Sequence, residues 1–204
     1  MTLRKVVLWR HGETDYNASG RMQGHIDSHL TEIGWNQARF AVPSLARFSP
    51  DVIVASDLRR ATDTATVFSE AIGVPLRLDK RLRETNLGQW QGRTGVEIDA
   101  EWPDGRARWQ IDATWAPPGG ETRVEVAARA IEVVSDLDSG TDETALLCAH
   151  GGLITALTGR MLGLPVEHWW QLGGISNCHW TVLARRDTTG PTWRLVAYNA
   201  GTTS

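Results

Sequence analysis

A three-layer α/β/α sandwich around a mostly parallel central sheet of about six strands is the fold class this sequence predicts, and three observations predict it. Short, partly β-branched apolar runs alternate along the chain with longer segments whose apolar residues recur every three or four positions. The apolar runs are apolar at successive positions, as strands covered on both faces must be. Glycines and capping residues stand at the junctions, where the chain has to turn. With 204 residues, 41% of them hydrophobic, the chain can bury one sizeable core and is read as a single domain, residues 1–204.

Each element has its own justification. Val6 to Trp9 is a short apolar strand. Residues 30–48 (LTEIGWNQARFAVPSLARF) follow as a helix, with Thr31 placed to cap it and Glu32 in the first turn. Pro43 is expected to shorten or kink that helix, because its ring removes a backbone donor. Residues 51–56 (DVIVAS) form a second strand, and residues 56–73 a helix with a Ser/Asp cap at Ser56-Asp57. Leu58, Ala61, Ala65, Phe68 and Ile72 make one apolar stripe along it, and Gly73 stops it. Residues 74–79 (VPLRLD) are the third strand. Residues 83–121 are rich in Gly, Pro and Trp and carry only short helical patches. A long amphipathic helix covers 122–137. The fourth strand, 144–150 (TALLCAH), runs into a helix over 151–164 entered through two glycines. Residues 177–185 and 192–199 are the last strands, joined by the turn-rich 186–191 (RDTTGP).

Composition narrows the function. A net charge of -3 argues against a nucleic-acid partner, which calls for a basic surplus. Cys148 and Cys178 lie far apart in apolar surroundings with no companion ligands, so they read as core residues in a reducing compartment rather than a disulfide or a metal site. No apolar run approaches a membrane span or a signal-peptide core, so a cytoplasmic protein without a membrane partner is expected. Ten tryptophans suit core and cleft packing, with carbohydrate stacking as the alternative.

Two strand ends carry chemistry. The first strand ends in Arg10-His11-Gly12 and the fourth in His150-Gly151-Gly152. In open α/β sheets, ligands bind outside the carboxyl ends of the strands. Glycines there let backbone N–H groups approach a ligand, and the helix opening at Gly151 turns its positive end toward an anion. The second strand hands over to a helix whose first turn holds Arg59 and Arg60, at the same edge of the sheet. Arg10, His11, one of that arginine pair and His150 can therefore converge on a phosphate group.

These residues, with "RHGETDYN", "RMQGHID", "LTEIG", "SDLRRATDTA", "RLRETNLGQWQG", "PGGET" and "AHGG" in that order, give the chain a resemblance to the histidine phosphatase superfamily, which includes cofactor-dependent phosphoglycerate mutases. His29 departs locally, where many relatives have proline. The resemblance implies a phosphoglycerate mutase-like fold and roles by position. His11 is the nucleophile that becomes phosphorylated. Arg10, Arg60 and His150 bind phosphoryl oxygens, with Arg59 the poorer candidate. Glu84 gives and takes the proton, a task that demands a carboxyl pKa lifted toward working pH by burial. Asn17, Gln23, Gly24 and Gly151 line the phosphate and substrate site. No metal and no cofactor are implied, since fixed cations do the work Mg²⁺ does in other phosphoryl-transfer enzymes.

Mutase relatives follow the glutamate with Arg-His-Tyr-Gly, whereas this chain has Thr85-Asn86-Leu87-Gly88. That resembles the phosphatase side of the superfamily. A mutase, a broad-specificity phosphatase of small phosphorylated metabolites and a non-catalytic phosphate-binding protein are the alternatives. The segment 112–129 (DATWAPPGGETRVEVAAR) is similar to the part of the superfamily that acts on glucosyl-3-phosphoglycerate. It implies a glycosylated phosphoglycerate as the small-molecule partner. Oligomeric state is left open, a homodimer included.

Overall fold

The computed structural model describes residues 3–141, 143–186 and 192–202. Its centre is a six-stranded sheet in the order β3-β2-β4-β1-β5-β6. The strands are β1 (Lys5–Arg10), β2 (Val52–Ala55), β3 (Leu76–Leu78), β4 (Thr144–Ala149), β5 (Trp180–Arg185) and β6 (Trp193–Ala200). β3, β2, β4 and β1 are mutually parallel, and β5 and β6 extend the sheet with antiparallel pairings. The predicted sandwich is the observed one.

Alternation along the central strands builds the two outer layers. Val7 and Trp9 of β1, with Leu146 and Cys148 of β4, face α2 (Glu32–Ala46) and α3 (Arg59–Ile72). Val6 and Leu8, with Ala145 and Leu147, face α6 (Arg123–Asp138) and α7 (Gly151–Met161). Both sets are fully buried, which is why β1 and β4 read as unbroken apolar runs.

Local signals account for most helix ends. Thr31 caps α2 by accepting the N–H of Gly34, and Thr122 caps α6 in a reciprocal box with Glu125. Gly73 ends α3 in the left-handed conformation at φ 75°. Three expectations change. α2 continues through Pro43 to Ala46, so the proline does not end it. The Ser/Asp cap of α3 is absent: the cap position is Leu58, and Asp57 instead forms a two-pronged pair with Arg83 at 2.6 and 2.7 Å. The third strand pairs over only three residues. The turn expected at 186–191 lies, from 187 on, outside the described residues.

The sequence pattern missed α1 (Asp15–Ala18), a single turn capped by Thr14, and resolved poorly the region between β3 and α6. That region folds as α4 (Gly95–Glu101), α5 (Gly105–Ile111) and short 3-10 turns around a small core of Leu87, Trp90 and Ile98, edged by Trp102, Trp109 and Trp115. Among the described residues, no helix is long and apolar enough to cross a membrane.

Candidate active site

β1 and β4 lie side by side with Arg10 opposite Ala149, so His11 and His150 leave neighbouring strand ends. The chain then departs to opposite faces, toward α2 from β1 and into α7 from β4, and a crevice opens between them. Both imidazoles are buried, with ring centroids 5.1 Å apart.

Their partners fix their tautomers. His11 Nδ1 lies 2.7 Å from the Gly12 carbonyl. A carbonyl only accepts, so Nδ1 holds the proton and Nε2 carries the free lone pair. His150 is the reverse: Arg60 Nε–H donates to its Nδ1 at 3.2 Å. The neutral ring therefore holds its proton on Nε2, which is buried with no partner among the described residues. Burial first, then the Arg60 guanidinium, pushes both imidazoles well below the usual histidine range.

The cations are positioned by backbone. Arg60 is buried in the first turn of α3, and its two Nη atoms donate to the Ile26 and Gly24 carbonyls at 2.9 and 2.8 Å. Burial pushes its pKa down to about 10, so it stays cationic at neutral pH. Arg10 Nη1 donates to the Ile175 carbonyl at 2.5 Å, and its buried Nε has no partner among the described residues. Arg59 turns away, exposed, and pairs with Asp63 at 3.5 Å.

Arg10, His11, Asn17, Gln23, Gly24, Arg60, Glu84 and Gly152 line one cavity of about 150 Å³. Asn17 Oδ1 is taken by Thr14 and Asn177, and Gln23 Oε1 by Ser28. His150 is fully buried against His11 and Arg60, and Gly151 lines a second cavity next door. The structure thus brings together the residues singled out in the sequence, Arg59 excepted. Among the described residues, no group of three or more His, Cys, Asp or Glu side chains could hold a metal ion.

The match to known proteins is of the same extent. The model of the histidine phosphatase superfamily (branch 1) matches residues 6–201. The chain belongs to this superfamily. It is 47% identical over 216 residues to the glucosyl-3-phosphoglycerate phosphatase of Mycolicibacterium vanbaalenii, covering 98% of this chain and 96% of the relative. The counterpart in Mycobacterium tuberculosis is 48% identical over 214 residues, with the same coverage. A solved mycobacterial glucosyl-3-phosphoglycerate phosphatase in complex with VO3 superposes with a TM-score of 0.93 at 48% identity, covering 97% of this chain and all of the other. The enzyme is a phosphatase of the histidine phosphatase type.

In this histidine phosphatase, Glu84 is held in place by backbone donors. It is half-buried, and its carboxylate accepts the N–H groups of Thr85, Gly152 and Leu153 at 2.8, 3.1 and 3.0 Å. Two of these donors, Gly152 and Leu153, belong to the first turn of α7, so the helix amino terminus fixes where the carboxylate sits. Only glycine allows this approach, because a Cβ on residue 152 would stand 2.6 Å from Glu84 Oε1.

Three residues that sequence reasoning did not single out hold Glu84 from behind. His25 Nε2 and Arg129 Nη2 both donate to the Glu84 carbonyl, at 2.7 and 2.8 Å. Arg129 also donates to the Arg81 and Arg83 carbonyls and pairs with Glu121, which accepts the N–H of Asn86. His25 and Glu121 lie inside the quoted motifs "RMQGHID" and "PGGET", which was their one available signal.

Proposed function

We propose that this phosphatase hydrolyses glucosyl-3-phosphoglycerate, with mannosyl-3-phosphoglycerate close behind, through a phosphohistidine on His11. The identity of nearly half the residues over almost the full length to named glucosyl-3-phosphoglycerate phosphatases supports the substrate. The observation that carries the mechanism is the tautomer of His11, which leaves Nε2 unprotonated beside Arg10 and Arg60.

His11 Nε2 attacks the phosphorus, and the P–O bond to the glycerate breaks. Charge on the equatorial oxygens meets Arg10, Arg60 and the Nε2–H of His150, fixed donors that need no reorganisation. The departing alkoxide takes a proton from Glu84. Glu84 then takes a proton from the water that attacks phosphohistidine, releasing phosphate and restoring both side chains.

Two measurements test this. Rapid quench with labelled ester traps an acid-labile, base-stable adduct that His11→Ala abolishes; near-normal turnover by His11→Ala overturns the mechanism. In steady state, kcat/KM for glucosyl-3-phosphoglycerate exceeds that for 3-phosphoglycerate by roughly tenfold to a hundredfold, the worth of one set of sugar contacts. Equal values leave the phosphatase reading and remove the substrate.

A further inference from the structure

The phosphate pocket is too small for the proposed ester. Its volume of about 150 Å³ falls short of the roughly 300–1,000 Å³ of small-molecule sites. A second cavity of about 450 Å³ adjoins it, and the two share Arg10, Glu84, Trp109 and Gly152. What extends beyond the phosphate must enter that space.

Arg123, the first residue of α6, lines the second cavity. It is a poor place for a surface cation, because a positive side chain opposes the dipole at a helix amino terminus. Among the described residues it makes no ion pair, and its single hydrogen bond runs from Nη1 to the Gln110 carbonyl at a long 3.3 Å. Its Nε is buried and has no partner among the described residues. Its guanidinium lies 4.6 Å over the ring of Trp109, which holds the planar fork in place. Among the described residues, the one acid on the wall of this cavity is Glu84, whose carboxylate is already engaged by backbone donors.

We infer that Arg123 is a specificity-determining residue that receives the carboxylate of a phosphorylated hydroxy acid, while Trp109 and the half-exposed Trp170 wall the space for whatever the acid carries. This reading rests on the phosphoglycerate assignment above but is separable from it. A carboxylate lies only a few bonds from the phosphate in a phosphoglycerate, and Arg10 and Glu84 mark the passage between the two cavities. Arginine is suited to the task because its fork meets both carboxylate oxygens.

The test compares esters that differ at one group. 3-Phosphoglycerate and glycerol 3-phosphate share the phosphate and differ by carboxylate against hydroxymethyl. In the native enzyme the ratio of their kcat/KM values favours the carboxylate by roughly tenfold to a hundredfold, the worth of a charge-assisted hydrogen bond. In Arg123→Gln the ratio collapses toward one, whatever happens to the separate rates, and Arg123→Lys restores part of it. A native ratio near one, or a ratio unchanged in Arg123→Gln, overturns the inference. If Arg123→Gln fails to fold, the ratio in the native enzyme between 3-phosphoglycerate and its methyl ester decides: no preference for the free acid overturns it. The substrate assignment is judged separately, by glucosyl-3-phosphoglycerate against 3-phosphoglycerate, so either reading can fail alone.

Discussion

His11 has one nitrogen tied to a backbone carbonyl and the other left for chemistry, and neutrality is a condition of that division. Burial and two guanidinium groups keep it, with His150, uncharged in the folded state. Unfolded, each ring takes a proton near an ordinary pKa of about 6.5. Below that value the unfolded chain binds more protons than the folded one, so stability falls as pH drops; above about pH 7 the two states agree and the effect vanishes. Each histidine can remove up to about 1.4 kcal/mol per pH unit in that interval. Urea melts at pH 7, 6 and 5 should show this decline, and His11→Asn should lose less stability per unit. Equal slopes for the two proteins would mean that His11 is not held neutral.

At the scale of elements, the segment carrying Glu84 has no sheet or helix to fix it. It follows a 3-10 turn at Lys80–Leu82, and α6 reaches across to hold it through Arg129. Arg129 touches no reacting atom, so it acts by positioning. Arg129→Met should cut kcat for alkyl phosphates by about a hundredfold, the usual cost of an ångström-scale misplacement. It should affect p-nitrophenyl phosphate less, because that leaving group hardly needs a proton. Arg129→Lys should recover part of the loss. Equal losses on both esters in single turnover would show that Arg129 supports the whole site rather than the acid. This dependence was not legible in the sequence, where Arg129 is one more charge on an amphipathic helix. The strands and their His-Gly ends were legible because burial on both faces and the need for close backbone approach each leave a local mark.

On the scale of the whole molecule, a second small core stands beside the sheet. Trp90 is fully buried at its centre, with Trp115, Trp109 and Trp102 at centroid distances of 5.6, 6.0 and 6.4 Å. Trp109 belongs both to this cluster and to the walls of both cavities, so packing in the cap sets the shape of the site. Trp90→Ala should cost about 3 kcal/mol, at the lower end for a buried aromatic, because it also removes a buried indole N–H that has no partner among the described residues. It should lower kcat/KM for the glycosylated ester more than for p-nitrophenyl phosphate. Thermal melts and the two rate constants check this together. An unchanged melting temperature with unchanged selectivity would detach the cap from substrate recognition.

The sequence by itself determined the sheet, the placement of histidines at two strand ends and the family, because each depends on local periodicity or on contiguous motifs. It could suggest, but not settle, which of Arg59 and Arg60 faces the site; that needed the pitch of α3 set against β4 and the loop at Gly24–Ile26. Only the tertiary structure decided that the Glu84 carboxylate meets the amino terminus of α7. It also decided that Asp57 pairs with Arg83 instead of capping, and that Arg123 lines a cavity and stacks on Trp109. Each of these is a contact between segments far apart in the chain. Hydrogen-bond partners and local charge arise from where folding places such segments, and no spacing along one of them encodes what the other will bring.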